Sequence, residues 1–469
     1  MSDFFRHETQ TAPPSLSNQG KLYIGTQSAL LDCLPGIPPP GYSAKDTSVS
    51  ILDMAALVHI IRPQRAVMFN EYMKLQLYPY IKTSFLTAQT TRVDAVWDCY
   101  FNDSVKNQTR STRCRTATKR VRVLGNLHIP KGAAWVSFLS DSKNKEELYQ
   151  YLADELMEVS KDESQLIITT KKETAMANQD INLTPLFPCH QEEADTRFML
   201  HPKNASKDGH TKAYVRTIDT DVVILTIRFF QQLGLDELWV GFGTGPTYKD
   251  IPVHELSKTI LVTSHRSQTI QIQSLLFFHA FTGSDVTSAF KGIGKKSAWK
   301  VWQCYPEVTD TFDELTKHPR SLTIESSHMK VLERFTILLY SKNCSATRVN
   351  DAREVMFSSG LKSLESIPPT LHALFEHVKR TLYIVSFIWS QSLCLSPQVP
   401  SASEWGWEWD DLVKAWAPLW TSLPDVSKGC ALLFKCSCIK ACTGNCTCFR
   451  NNMKCSSLCK CQGGCTNNE

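Results

Sequence analysis

The sequence predicts an α/β protein: a mostly parallel, twisted sheet flanked by helices, followed by a helical extension and a small cysteine-rich module. Carboxylates at the ends of short apolar runs predict the sheet, because such runs indicate buried strands. Acids at strand ends lie at the sheet edge, where open α/β sheets bind their ligands. These seven acids are Asp53, Asp98, Glu193, Asp195, Asp219, Asp221 and Asp285.

Composition limits the possible classes of protein. With 469 residues and 42% hydrophobic content, the chain can bury a large core and form two or more domains. No apolar stretch approaches the ~20 residues that a membrane span needs, and Met1–Pro14 lacks a secretory apolar core. We therefore expect nuclear residence, with the cytosol as the alternative, and no membrane association.

Several segments follow in order along the chain. Residues 1–48 are polar and proline-punctuated, and we expect an arm without assigned chemistry. Residues 49–304 hold the acids, and 305–395 show helical spacing, with a core stripe at Leu374, Val378, Leu382, Val385 and Trp389. Residues 396–429 form a tryptophan-rich linker, for which packing is favoured over stacking on bases. Its tryptophans are Trp405, Trp407, Trp409, Trp416 and Trp420.

The acids fall into five segments that carry a family resemblance. The segments are Ser50–Asp53, Ala95–Asp98, Glu192–Asp195, Thr217–Asp221 and Phe281–Asp285, and a glycine turn, Gly292–Ala298, follows them. Their order resembles the flap endonuclease and PIN-like nuclease superfamily: a strand ending in Asp, a V-F-D-like strand, E-A-D/E, D-x-D, G-x-D, then G-I-G-x-x-x-A. The resemblance spans about Ser50 to Cys304.

The resemblance implies a site for about two Mg²⁺ or Mn²⁺ ions, which suits a donor set made of carboxylates. The implied ligands of the first ion are Asp53, Asp98, Glu193 and Asp195, and those of the second are Asp219, Asp221 and Asp285, partly through water. Glu192 replaces Glu193 if the register slips by one, because adjacent helical residues point about 100° apart. Taken singly, Asp53 or Asp98 would more simply be a helix N-cap.

Basic residues predict contact with nucleic acid. Gly292 and Gly294 would present N–H groups to a phosphate, with Lys295 and Lys296 adding charge. After the second acid, the resemblance implies that Lys106, Arg110 and Arg113 steady the scissile phosphate. A solvated surface or a weak nuclear-import signal is the alternative for this basic run.

Nearby histidines and a cysteine have a simpler interpretation. Cys189, His190 and His279 lie close to the acidic segments in sequence, yet we expect them to pack or cap rather than to bind metal.

Ten of the seventeen cysteines follow Gly429, and nine of them form a regular pattern. Neighbours in a C-x-C pair cannot easily bridge each other, so they favour a shared metal. The pattern resembles the tesmin-type CXC module, which implies about three structural zinc ions and DNA contacts from Lys440, Arg450 and Lys454. A disulfide-rich secreted knot is the alternative. The cysteines are Cys436, Cys438, Cys442, Cys446, Cys448, Cys455, Cys459, Cys461 and Cys465.

The combination of the two modules suggests a function. A nuclease-like core joined to a cysteine-rich tail (residues 430–469) resembles multicopy, transposon-derived proteins of animal genomes. We therefore expect a metal-dependent nuclease that hydrolyses DNA, with RNA as an alternative substrate. The alternative from another class is a catalytically inactive DNA-binding protein whose acids only keep the fold.

Overall fold

The structure is a computed structural model of the chain. It describes residues 4–42, 46–101, 104–106, 120–191, 194–262, 268–358, 366–425, 435–439, 442, 446–450, 454–455 and 459–467.

A seven-stranded sheet lies at the centre of the fold. Its strands run in the order β6-β5-β4-β3-β7-β8-β9. The middle five are parallel, and β6 and β9 pair antiparallel at the edges. The strands are β1 (Ser17–Asn18), β2 (Lys21–Leu22), β3 (Val49–Asp53), β4 (Arg92–Val96), β5 (Leu166–Lys171), β6 (Thr174–Ala177), β7 (Lys212–Thr217), β8 (Glu237–Phe242), β9 (Lys249–Pro252), β10 (Trp407–Asp410) and β11 (Ala415–Pro418).

Helices cover both faces of the sheet. Among the described residues, no helix is long and apolar enough to cross a membrane. The helices are α1 (Met54–Ile60), α2 (Phe69–Tyr72), α3 (Tyr78–Phe85), α4 (Ala133–Ser140), α5 (Ser142–Ser160), α6 (Ala194–Arg197), α7 (Leu200–Lys207), α8 (Thr220–Leu233), α9 (Val253–Val262), α10 (Gln268–Phe281), α11 (Lys295–Cys304), α12 (Val308–Lys317), α13 (Ser327–Tyr340), α14 (Val349–Ser358), α15 (Leu371–Leu382) and α16 (Thr447–Arg450).

Alternating side chains of the central strand enter two different cores. On β3, Val49 and Ile51 pack in the core formed with α8 to α15. Leu52 packs in the core on the opposite face, with α1 to α5. Because a strand buried on both faces reads as a continuous apolar run, this arrangement explains the runs seen in the sequence. The predicted α/β class, with a mostly parallel sheet between helices, is confirmed.

Two of the predicted acids begin helices. Asp53 accepts a hydrogen bond from the backbone N–H of Ala56 at 2.8 Å and caps α1. Asp219 accepts one from the N–H of Asp221 at 2.7 Å and caps α8. Capping satisfies N–H groups that have no partner within the helix. The capping role therefore coexists with a position at the sheet edge.

The segments outside the sheet differ in part from expectation. The stripe from Leu374 to Trp389 is buried in the larger core, as predicted. Trp405, Trp407 and Trp420 are buried as well, which supports packing over base stacking for this segment. The segment is also more regular than a linker, because β10 and β11 form an antiparallel hairpin.

The N-terminal segment, expected as an arm, packs against the rest of the protein. Phe5, Leu16, Leu30 and Leu31 are all buried in the described part of the chain. The Glu8 carboxylate accepts a hydrogen bond from the N–H of Thr370 at 2.8 Å. The polar composition of the segment concealed these few apolar anchors.

Candidate active site

The acids converge because of the strand order. From β3 the chain moves outward to β4 and β5, then returns to β7 on the other side of β3. The strand order therefore reverses between β3 and β7, and open α/β sheets bind ligands at such a point, beyond the carboxyl ends of the strands. Asp53 ends β3, while Asp98 and Asp219 each lie two residues beyond the ends of β4 and β7.

Five of the seven predicted acids line one cavity of about 300 Å³. Hydrogen bonds join its separate segments: Asp98 accepts from the backbone N–H of Ala194 at 3.1 Å and from the hydroxyl of Tyr100 at 3.0 Å. Asp195, in the first turn of α6, is thereby held beside Asp98. The five acids are Asp53, Asp98, Asp195, Asp219 and Asp285.

Burial and mutual repulsion make these carboxyls reluctant to ionise. Burial, together with the charge of the nearby Asp98, raises the pKa of Asp53 to about 7. Burial also raises the pKa of Asp195 to about 7, against the lowering effect of Lys106. The pKa of Asp219 lies well above its usual value because of burial and the charges of Asp195 and Asp221. A bound cation would relieve this repulsion.

The donor set fits a hard divalent cation better than a softer metal. Carboxylate oxygens are the ligands that Mg²⁺ and Mn²⁺ prefer. In the described ranges, the compact sets of potential ligands consist of cysteines, and the carboxylates are spread around the cavity instead. A spread arrangement suits ions that keep several water ligands.

Basic and aromatic side chains also line the cavity. Lys106 lies with its Nζ 3.6 Å from Asp195 Oδ2, and His59 and Lys145 also line the cavity. The Lys145 ammonium lies over the ring of Tyr100, 5.1 Å from its centroid. Positive charge therefore stands at the cavity wall, where an anionic phosphate would approach.

A tight turn presents Asp285. Gly283 has a φ of +107°, and a Cβ at this position would lie 2.8 Å from backbone and side-chain atoms of Ala289. No other residue type fits this contact, since both the conformation and the space exclude a side chain. The hydroxyl of Thr287 accepts from the N–H of Ser284 at 3.0 Å and closes the turn. Asp285 is thus held on a rigid turn.

Asp221 is placed differently from the other acids. Its side chain is buried, and His279 Nε2 lies 2.7 Å from Asp221 Oδ1. Asp221 does not appear among the residues that line the cavity. Because His279 is also fully buried and stacks on Trp389 at 5.7 Å between centroids, it packs as expected.

Lys295 does not lie where the expected DNA contact of the glycine turn requires it. A helix, α11, begins directly after Gly294, and Gly292 has a φ of +74°. Lys295 is only 2% exposed, however, and its Nζ donates to the carbonyl of His279 and the hydroxyl of Thr282. It cannot contact a DNA backbone, because its ammonium points into the protein.

Lys296, the neighbouring residue, remains at the surface. Its Nζ lies 2.8 Å from Asp32 Oδ2.

Some predicted residues lie outside the described part of the chain: Glu193, Arg110, Arg113 and Lys440. Arg450 ends α16, and Lys454 is exposed. Sequence reasoning also missed His59, Tyr100, Lys145, Thr217 and Gln27. Of these, His59 could have been found, because it lies six residues after Asp53 on the helix that this acid caps.

The cysteine-rich module gathers all nine predicted thiols into four overlapping sets. Within each set, the sulfur atoms lie within 4.8 Å of one another. The nine are free thiols rather than disulfides. The sets are Cys436, Cys455, Cys459 and Cys461; Cys436, Cys438, Cys442 and Cys446; Cys436, Cys446, Cys448 and Cys455; and Cys442, Cys455, Cys461 and Cys465.

The sulfur spacings match a tetrahedral metal. A Zn–S bond of about 2.3 Å in tetrahedral geometry places sulfurs about 3.8 Å apart. Cys436 Sγ lies 3.7, 3.9 and 4.0 Å from those of Cys442, Cys455 and Cys461. Cys442 Sγ lies 3.6 Å from that of Cys455 and 3.8 Å from that of Cys461. These four cysteines, drawn from overlapping sets, therefore have five of their six sulfur–sulfur distances close to the value for tetrahedral zinc.

Comparisons with known proteins give limited likeness. Neither a protein-family model nor a curated protein matches the sequence. Among solved structures, the T5 D15 protein co-crystallised with metal ions shares 13% identity, with a TM-score of 0.32 over 74% of this chain and 96% of its own. The catalytic core of Rad2 in complex with DNA substrate shares 15% identity, with a TM-score of 0.33 over 65% and 78%. Because both the sequence identities and the TM-scores are low, the functional proposal is based on the side chains of this protein alone.

Proposed function

We propose that the chain is a divalent-metal-dependent nuclease that hydrolyses DNA phosphodiesters, with a zinc-thiolate tail that binds DNA. The single observation that supports this proposal is the convergence of five acids, from segments far apart in sequence, on one cavity at the switch point of the sheet. Acids that serve only as helix N-caps have no reason to converge on one cavity. Several buried carboxyls that raise each other's pKa are costly unless they serve a ligand.

The five acids fall into two groups, one for each proposed metal ion. Asp53, Asp98 and Asp195 lie at the ends of β3 and β4 and on α6, and would hold one ion. Asp219 and Asp285 would hold the other. When bound, Mg²⁺ or Mn²⁺ supplies a hydroxide nucleophile and stabilises the charge of an in-line displacement at phosphorus.

Hydrogen bonds to Asp98 would orient one carboxylate for metal binding, and Lys106 would attract the substrate phosphate. The Tyr100 hydroxyl and the Ala194 N–H each donate to one oxygen of Asp98, which fixes the plane of that carboxylate. Lys106 balances part of the negative charge beside Asp195 and would contact a phosphate oxygen of the substrate. Neither contact specifies a base, so we expect cleavage to depend on DNA shape rather than sequence.

The tail would supply additional affinity for DNA. Its thiols can hold about three zinc ions when some sulfurs bridge two metals. Lys454 is exposed beside Cys455 and can contact phosphates. Attachment of this module would keep the core near DNA, which is consistent with the nuclear residence that we propose.

A cleavage panel tests the function. The purified full chain is incubated with Mg²⁺ and 5′-flap, duplex and single-stranded DNA and with RNA. We expect cleavage of DNA by the wild type and a loss of at least ~100-fold in Asp219→Asn, since each ~1.4 kcal/mol of lost transition-state stabilisation reduces the rate tenfold.

Asp154→Asn is the matched control. Asp154 is an exposed acid that pairs with Lys171 at 2.6 Å, away from the cavity. We expect this variant to cleave like the wild type. If a folded wild type binds DNA but leaves every substrate intact, the chain is a non-catalytic DNA-binding protein and the proposal is wrong.

A further inference from the structure

The N-terminal segment is attached to the loop that carries Asp285. The N–H of Ala289 donates to the carbonyl of Tyr23 at 2.9 Å, and the N–H of Lys291 donates to the carbonyl of Ser15 at 2.8 Å. The N–H of Tyr23 in turn donates to the Ser288 hydroxyl at 3.1 Å. Because these bonds run in both directions, the loop after Asp285 and the N-terminal segment form one unit.

A short helical turn at Gln27–Cys33 continues this unit toward the acids. Leu30 and Leu31 on this turn are buried in the larger core. Asp32 pairs with Lys296 at the start of α11. Apolar burial fixes the turn far more strongly than this exposed ion pair, because water screens the attraction between surface charges.

Gln27 extends from this turn to a predicted metal ligand. Its amide Nε2 donates to Asp285 Oδ1 at 2.6 Å, across 258 residues of sequence. The direction follows from chemistry, because an ionised carboxylate only accepts hydrogen bonds. A donor on one oxygen limits rotation of the carboxylate and thereby fixes where its second oxygen points.

The same turn forms the wall of a second cavity. This cavity has a volume of about 690 Å³ and shares Ile218, Asp219 and Asp285 with the first. Gln27 and Lys249 of β9 both line it. Asp219 and Asp285 therefore line both cavities.

We propose that Gln27 is a positioning residue of the carboxylate site, which holds Asp285 toward the ion that it shares with Asp219. The inference rests on the proposed function, because it gives Asp285 the role of a metal ligand. It extends the site to the first forty residues, which contain none of the seven acids predicted to bind metal.

Calorimetric titration of the full chain with Mg²⁺ tests the inference, together with kcat and KM on the DNA that the wild type cleaves. Gln27→Leu keeps the size but removes the donor. We expect it to weaken Mg²⁺ affinity and to lower kcat, each by about tenfold, which corresponds to one charge-assisted hydrogen bond. KM for DNA should stay unchanged, because Gln27 contacts the acid rather than the substrate.

Two further variants separate positioning from folding. In an Asp285→Asn background, Gln27→Leu should have little further effect on Mg²⁺ affinity, since its acceptor charge has already gone. Gln179→Leu is the matched control, because the exposed Gln179 amide donates to the Ser164 carbonyl at 3.1 Å and does not line either cavity. We expect it to behave like the wild type.

The failure of this inference differs from the failure of the proposed function. If the wild type binds Mg²⁺ and cleaves DNA while Gln27→Leu matches it, the positioning role is wrong and the nuclease stands. The same holds if Gln27→Leu lowers only the melting temperature. If the wild type takes up no Mg²⁺, both proposals are wrong.

Discussion

The hydroxyl of Thr217 donates a hydrogen bond to Asp53 Oδ2 at 2.8 Å, across the two strands that flank the switch point of the sheet. The hydroxyl oxygen of Thr217 in turn accepts a hydrogen bond from the backbone N–H of Asp219 at 3.0 Å. One fully buried hydroxyl therefore connects two of the acids proposed to bind metal.

Thr217→Val should weaken both the fold and the site. The change keeps the shape but removes a donor from a buried carboxyl, which costs about 1–3 kcal/mol. The hydrogen bond from Thr217 lowers the pKa of Asp53, so its loss should also disfavour the charged form that a cation needs. Urea unfolding and Mg²⁺ calorimetry measure the two effects. Thr217→Ser keeps the hydroxyl and should lie close to the wild type.

Stability without metal should fall as the pH rises. Folding raises the pKa of Asp53 and Asp195 from their ordinary range to about 7. Such groups favour the folded state fully below the unfolded pKa of about 3.9, and this contribution is lost as pH rises through about 7. Urea unfolding at pH 5, 6.5 and 8 in chelator should show the decline.

Magnesium should reverse this decline. A ligand at 100 times its Kd stabilises the folded state by about 2.7 kcal/mol, and Mg²⁺ binds the ionised carboxylates. The stabilisation should therefore be larger at pH 8 than at pH 5. In Asp53→Asn combined with Asp195→Asn, both the pH dependence and the Mg²⁺ effect should shrink. Equal stabilisation at the two pH values would contradict a carboxylate metal site.

Removal of the Lys106 charge should slow catalysis. Lys106 lowers the pKa of Asp195 and lies where a phosphate would approach, so Lys106→Met should reduce kcat/KM by on the order of 10²-fold. Lys106→Arg should retain part of the activity. Arg120→Met provides the comparison, because Arg120 pairs with Glu147 and Asn144 outside the cavity. A comparable loss in both variants would argue against a specific role.

Zinc should stabilise the tail alone. We expect about three zinc ions per chain, and their chelation should expose residues 435–467 to trypsin while the urea midpoint of the α/β core stays unchanged. Cys436→Ser should lower the zinc content strongly, since Cys436, like Cys455, belongs to three of the four sets. Cys304→Ser, at an exposed cysteine outside the sets, should keep the full content. Protein that contains no zinc when purified without chelator would contradict this assignment.

The acids were predictable because their signal is local. A buried strand appears as a short apolar run, and the residue at its end must lie at the sheet edge. Asp53, Asp98 and Asp219 follow this rule, and the structure brings them together. The cysteines were predictable for a similar reason, since their spacing alone favours shared metal over disulfides.

Other features could not be predicted because they depend on which distant segments meet. Lys295 was expected at the surface, yet the first residue of α11 faces α10 and its ammonium bonds to His279. Asp221 was grouped with the cavity acids, whereas its place on α8 turns it toward His279. The sequence pattern identified these residues as candidates for the site. The direction in which each side chain points depends on which elements pack against its helix.

The sequence by itself determined the fold class, the acids at the strand ends and the thiol module, because these follow from periodicity and spacing over a few residues. Only the tertiary structure decided that Thr217 links Asp53 to Asp219 and that Gln27 reaches Asp285. These contacts join residues 164 and 258 positions apart. They exist because packing of two apolar cores sets the distances between segments, and no local pattern encodes those distances.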